Sequence, residues 1–339
     1  MRIRLACLLL LLFPIWLSAV DNPDRPSRPV RLIFIHHSSG ENWLTNSNGG
    51  LGIALKKANY YVSDTNYGWG PADLDVGSDT IGDHTDIGHW YNWFAGPNRE
   101  TYLTALYGER GRHSSYSRLG KRPAGENRIV MFKSCFPNSS LKGKPSDPPK
   151  TGAGNKLRGQ DAGSSYMTVG NAKGIYKDLL RYFATRQDKL FIVVTAPPLS
   201  RSETSSARAA NARALNRWLT RTWLSSYPHK NVAVFDFYNV LTSNGGSSAV
   251  NDVGESGGNH HRWYNSAVQY QQSLKYNYSA YPTDEWDSHP TRAGNRKASA
   301  EFVKLLNVYY HRWQDSLKAG SWSPGGILPP LFPGEQSIP

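Results

Sequence analysis

Two separated segments carry residues suited to nucleophilic chemistry. The first is Ile35-His36-His37-Ser38-Ser39-Gly40, where an apolar run ends in two histidines and two hydroxyls before a glycine. The second, near the other end of the chain, is Trp286-Asp287-Ser288-His289-Pro290. A serine hydroxyl attacks well only when a base takes its proton, and a histidine titrating near neutrality suits that task. The imidazole in turn works best when a carboxylate fixes its tautomer, and Asp287 is the nearest one. Each segment alone also has an ordinary structural use: Ser-Ser-Gly closes turns, and Asp-x-His-Pro is helix-start chemistry. Ser39 stands beside Ser38 as an alternative hydroxyl.

Other chemistries are weighed against this pair. Cys135 lies close to Lys133, which would lower a thiol's pKa, yet an unpaired cysteine commonly packs as a small buried hydrophobe. His36-His37, Asp83-His84-x-Asp86-x-x-His89 and Asn259-His260-His261 offer nitrogen and oxygen donors that suit zinc or another first-row metal. No Glu lies between histidines at helical spacing, and aspartates in a Gly-rich stretch close turns. The expectation is therefore no metal and no cofactor. These polar groups then shape the mouth of a cleft, with His36 or His37 supporting the nucleophile loop.

Five short runs read as the buried strands that would position these groups: Arg31–His36, Tyr60–Ser63, Arg128–Lys133, Leu190–Thr195 and Val232–Phe237. Most are rich in Val, Ile and Phe without strict alternation, as strands covered on both faces are. Apolar residues recur at helical spacing over 171–186, 205–226 and 293–313. Strands alternating with helices predict a three-layer α/β/α domain around a central, mainly parallel five-stranded sheet. Residues 65–127, 138–170 and 243–283 break the alternation and read as long loops, and loops that follow strand ends surround the ligand crevice of such a sheet.

Residues 1–19 read as a signal peptide, with Arg2 and Arg4 before the apolar stretch from Leu5 to Leu17 and small residues at Ser18-Ala19. The expected location is secreted or periplasmic, with no stable membrane insertion. Cys135 is then the one cysteine of the mature chain, so no intrachain disulfide forms. Residues 20–30 read as a linker, 31–319 as the domain and 320–339 as a proline-rich tail. The net charge is +13 and unevenly spread: residues 32–109 carry 3 basic and 9 acidic side chains, 110–230 carry 23 and 6. A basic middle favours anionic partners such as a cell-surface polymer, though a solvated surface carries such charge equally well. Export argues against nucleic acid as the partner. The oligomeric state is not readable from the sequence.

Taken together, these elements resemble the SGNH (GDSL-like) hydrolase family, whose four blocks contribute Ser, Gly, Asn and His in that order. Ser38 stands where the family's serine follows the first strand. Ser63-Asp64-Thr65-Asn66-Tyr67-Gly68-Trp69-Gly70 follows the second, with Gly68 the better match and Gly70 the reserve. Phe132-Lys133-Ser134-Cys135-Phe136-Pro137-Asn138 follows the third, with Asn138 in the Asn role, and His289-Pro290 precedes the last helix. The resemblance implies a flavodoxin-like fold with Ser38 as nucleophile and His289 as base. It implies an oxyanion hole made by the Ser38 N–H, the Gly68 N–H and the Asn138 side chain.

The chain departs from the family in three places. His36-His37 replaces the usual Gly-Asp, and the third block lacks Gly-x-Asn-Asp. The family's carboxylate lies three residues before the histidine, which is Trp286 here, with Asp287 two before and Asp284 five before.

The chain has 11 Trp and 19 Tyr, and many of them lie in Gly/Asn/Ser-rich stretches rather than periodic ones. Trp69, Trp90 and Trp263 could stack on sugar faces or pack the loops onto the domain. The function expected is hydrolysis of a carboxylic ester, with an O-acyl (acetyl) glycan as a candidate substrate. The other readings are a non-catalytic glycan-binding scaffold and a metal-dependent hydrolase.

Overall fold

The computed structural model describes residues 20–242, 258–272 and 277–320. Its centre is one sheet of β1 (Val30–Ile35), β2 (Tyr60–Thr65), β3 (Ile129–Lys133), β4 (Leu190–Val194) and β5 (Val232–Phe235). The strand order is β2-β1-β3-β4-β5, with every neighbouring pair parallel. The sheet expected as mainly parallel is parallel throughout.

Alternate residues of each strand feed two separate cores, which is why the strands read as continuous apolar runs. Leu32, Phe34, Met131, Ile192 and Phe235 face α1 (Ser38–Leu44), α2 (Leu51–Lys57), α7 (Phe237–Thr242) and α8 (Arg292–Gly320). Ile33, Ile35, Val130, Phe132 and Val193 face α3 (Trp90–Phe94), α4 (Arg99–Gly108), α5 (Val169–Thr185) and α6 (Ser206–Arg221). Large rings fill both layers: Trp43 on one side and Trp90, Trp93 and Trp223 on the other are fully buried. Ser205 and Thr168 cap α6 and α5 by accepting the N–H groups of Arg208 and Asn171.

The long segments are only partly loops. Residues 65–127 contain α3 and α4, and the described part of 243–283 contains a hairpin of β6 (His260–Tyr264) and β7 (Ala267–Gln271). Its two-residue turn, Asn265-Ser266, holds both residues at positive φ (47° and 58°), the geometry that matches the strands' twist. A second hairpin, β8 (Pro282–Asp284) with β9 (Asp287–Pro290), immediately precedes α8.

Of residues 20–30, read as a linker, Val30 opens β1 and the earlier part runs against α8: Asp21 pairs with Arg312 at 2.6 Å, and the Pro23 carbonyl accepts from Asn307 at 2.8 Å. Residues 1–19, read as a signal peptide, and those beyond Gly320, read as a proline-rich tail, lie outside the described residues. Among the described residues no helix is long and apolar enough to cross a membrane.

His261 lies wholly within the core beside Phe235, where its Nδ1 accepts the Asp236 N–H at 2.9 Å. Burial pushes its pKa down to about 3, and burial likewise holds His37 and His89 at about 4. As pH falls below the ordinary histidine value, the unfolded chain takes up protons that the native state refuses. Stability is therefore full above that value and declines by about 1.4 kcal/mol per pH unit for each such group. Urea unfolding should show a falling free energy between about pH 6.5 and about pH 4.5, with a shallower slope in His261→Gln. A wild-type profile that is flat across this window would exclude the linkage.

Candidate active site

The parallel sheet sends the carboxyl ends of β1 and β3 to one edge, and the candidate residues gather there. After Ile35 the chain turns directly into α1, whose first residue is Ser38. The turn is so tight that a Cβ on Gly40 would lie 2.3 Å from the His36 Cβ, so only glycine fits. His36 is fully buried and bonds through Nε2 to Asp64 of β2 at 3.2 Å. Asp64 also accepts the His113 N–H at 2.7 Å and the Tyr116 hydroxyl at 2.9 Å. Burial alone would raise the Asp64 pKa, but these hydrogen bonds outweigh it and hold the carboxyl below its usual range.

The two adjacent hydroxyls have different fates. Ser38 Oγ lies 2.8 Å from His289 Nε2. Ser39 is sealed from solvent, receives the Lys133 ammonium at 2.5 Å and lies 3.2 Å from Cys135 Sγ. Desolvation lowers the Lys133 pKa to about 8. Burial thus separates the two serines: Ser38 faces the imidazole and Ser39 braces the turn. Cys135 is partly exposed, 3.7 Å from Ser38 Oγ, and has no imidazole of its own among its contacts.

Local backbone geometry brings one of the candidate carboxylates to the imidazole. Asp287 and His289 both lie on β9, and residues two apart on a strand share a face. Asp287 Oδ1 therefore reaches His289 Nδ1 at 2.5 Å and also accepts the His289 N–H at 2.9 Å. Partial burial tends to raise the Asp287 pKa, but these two hydrogen bonds hold it below the usual carboxylate range. Ser288, between them, points the other way, where its hydroxyl donates to Glu203 and accepts the Ser200 N–H at 2.8 Å. That contact clamps the hairpin to the loop after β4. Trp286 is 67% exposed and Asp284 caps the hairpin turn through the Trp286 N–H, so neither backs the histidine.

Two of the three expected oxyanion donors, Gly68 and Asn138, are engaged elsewhere. Gly68, at φ 71°, donates its N–H to Asp83 at 2.9 Å. Asn138 is buried and donates to Asp86 at 2.5 Å and to the Cys135 carbonyl at 3.2 Å, while its oxygen accepts the Ile87 N–H. It ties the loop after β3 to the long insertion. Gly70 likewise lies at positive φ in the loop after β2.

A group missed at the sequence level takes the position facing the nucleophile. Tyr67 lies beside Ser38: burial raises its pKa overall, while the nearby Ser38 hydroxyl and N–H work against that rise. Its ring stacks on His37 at 3.9 Å, and His37 Nε2 is fixed by the Gly82 carbonyl at 2.6 Å. The available signal was a tyrosine immediately before the family-like glycine.

Two of the three tryptophans proposed for sugar stacking are core residues, which corrects that expectation. Trp69 stacks on Trp93 and donates to Glu109 at 2.6 Å; Trp90 packs on Phe132 and donates to Ser134 at 2.9 Å. Trp263 is half-buried on β6. The His/Asp-rich motif is dispersed into separate local tasks: Asp83 closes a capping box with Thr80, Asp86 holds Asn138, and His89 accepts the Asp86 N–H. His260 pairs with Glu301 at 2.7 Å. Among the described residues no cluster of three or more such side chains is placed to hold a metal ion.

The result is a serine hydroxyl, an imidazole and a carboxylate in continuous hydrogen-bond contact, a geometry in which a hydroxyl can be activated. If Asp287 orients His289, Asp287→Ala should slow fluorophosphonate labelling of Ser38 by about 10²- to 10⁴-fold while leaving the circular dichroism spectrum unchanged. Labelling at the wild-type rate would remove Asp287 from the arrangement.

No family model matches this chain, and no curated protein is similar to it. One solved structure is similar at 13% identity over 86% of this chain and 97% of its own, with a TM-score of 0.33, too slight a likeness to carry an argument.

Proposed function

We propose that this chain is an exported serine hydrolase of the SGNH (GDSL-like) type that cleaves a carboxylic ester, with acyl groups on a carbohydrate as the substrate class. The observation that carries the reading is the Ser38–His289–Asp287 chain, with links of 2.8 and 2.5 Å joining residues 251 positions apart. Structural duty alone does not call for a partly exposed serine, histidine and aspartate in this order.

In the reaction, Ser38 Oγ attacks the acyl carbon as its proton moves to His289 Nε2. Asp287 stabilises the imidazolium so formed. His289 then returns the proton to the departing alkoxide, the alcohol leaves, and water repeats the sequence on the acyl-enzyme. The developing oxyanion needs preorganised donors, and those at Gly68 and Asn138 are already spent on Asp83 and Asp86. The groups beside the Ser38 hydroxyl are its own N–H and the Tyr67 hydroxyl, which lie against each other at rest, so a substrate oxyanion would draw the N–H from the phenol oxygen and accept the phenol proton.

Hydrolysis of short-chain nitrophenyl esters tests the reading. Ser38→Ala and His289→Ala should each lose activity by about 10³-fold or more, and Ser39→Ala should not abolish labelling of Ser38. Full activity in either of the first two ends the proposal. A folded protein that neither turns over esters nor reacts with a fluorophosphonate would be a binding scaffold instead. Tyr67→Phe should lower kcat by about 10²-fold with little change in KM; an increase in kcat would mean that the tyrosine blocks the site rather than serving it.

A further inference from the structure

The Phe136 ring meets His289 edge-on, with ring centres 4.7 Å apart, and its other surroundings form a cleft of about 450 Å³. This cleft is separated from the base by one side chain, the Phe136 ring, and Glu203 on its wall accepts from Ser288 beside His289, whereas the lining of a cavity of about 580 Å³ along β5 and α8 makes no such contact with the site. A volume of this size holds one sugar-sized unit rather than an extended chain.

Its charged lining is Lys142, Arg208 and Glu203. Glu203 is occupied, since it accepts the Ser288 hydroxyl behind the base and the Ser200 hydroxyl at 3.5 Å. Two cations against this one carboxylate leave the lining with a net positive charge. Arg208 donates to the Ser140 hydroxyl at 3.1 Å, and among the described residues neither cation has a carboxylate partner. Both sit on fixed backbone: Lys142 exchanges hydrogen bonds with Met167 and Val169, and Arg208 lies in the first turn of α6.

The position of Arg208 is itself informative. Three residues after the cap Ser205, a helix favours Glu or Gln, because a carboxylate there meets the exposed N–H groups and the positive end of the helix. This chain places a guanidinium at that point, at a cost to the helix. The surrounding segment is basic as a whole, with 23 basic and 6 acidic side chains over residues 110–230. Both features raise the potential over the cleft and favour an anion.

We propose that this cleft binds a carboxylate-bearing sugar unit next to the ester attacked by Ser38, with Lys142 and Arg208 pairing its carboxylate. The substrate class is then an O-acylated acidic glycan. The inference rests on the ester-hydrolase reading and extends it to the substrate. Arg208 supplies a planar fork for the carboxylate and Lys142 a second charge, with Ser140 available to a sugar hydroxyl.

The test compares kcat/KM on acetylated oligogalacturonate with that on an acetylated neutral xylo-oligosaccharide, using the mature protein. Wild type should favour the acidic substrate at least about tenfold, and the preference should shrink as salt rises from about 50 to about 500 mM. In Lys142→Ala/Arg208→Ala the ratio of the two constants should fall about tenfold or more, mostly through KM. Arg208→Ala should also leave the melting temperature equal or higher, which a merely structural arginine would not do. An equal rate on both substrates, an unchanged ratio in the double variant, or stronger competition by a sulfated than by a uronate oligosaccharide would each overturn the proposal. A wild-type protein whose Ser38 does not react with a fluorophosphonate would instead overturn the ester-hydrolase reading beneath it.

Discussion

Everything at the candidate site depends on one constraint: five strands that all run the same way. A parallel sheet delivers every strand's carboxyl end to a single edge, and β1 lies between β2 and β3 in that sheet. The turn after Ile35 is therefore bordered by Asp64 on one side and by Lys133 and Cys135 on the other. An antiparallel neighbour would have carried those groups to the far end. The same constraint explains the length of the connections, because each parallel crossover must traverse the whole sheet and the insertions accumulate at the ends.

Placing a serine in this turn requires burying several polar groups, and each is given a partner. His36 pairs with Asp64, Asp64 draws in His113 and Tyr116, and Lys133 is satisfied by Ser39 and the Ser134 carbonyl. Such groups are costly when left unpaired, so the network holds the backbone at Ser38 to one conformation. His37 contributes differently. Its burial keeps it neutral at ordinary pH, so it offers Tyr67 a flat, uncharged ring to stack on.

The second half of the arrangement comes from a hairpin rather than from the sheet. β9 presents Asp287 and His289 on one face and Ser288 on the other, and Ser288 with Glu203 fixes that face toward Ser38. Glu203 and Phe136 thus both support the base and border the adjoining cleft, so the position of His289 and the shape of the cleft are coupled through shared side chains.

The sequence by itself determined the sheet and the place of Ser38 on it. Apolar runs such as Leu190–Val194 are too short for helices and rich in β-branched residues, and their alternation with the helical patterns at α5, α6 and α8 points to a parallel sheet with Ser38 at one end. It did not reveal α1, α2 or α7: α7 is buried on every side and so has no amphipathic period, and α1 is too short to show one. Only the tertiary structure decided the partners. Asp287 stood in doubt until β9 proved extended, because two-residue spacing joins side chains on a strand and parts them on a helix. Gly68 and Asn138 lie in the expected loops, but Asp83 and Asp86, 15 and 52 residues away, claim their donors. Trp69 and Trp90 looked available for a ligand because nothing local records burial. Strand and helix follow from patterns within a few residues of each other, whereas a hydrogen-bond partner is a fact about which distant segment the folded chain brings alongside.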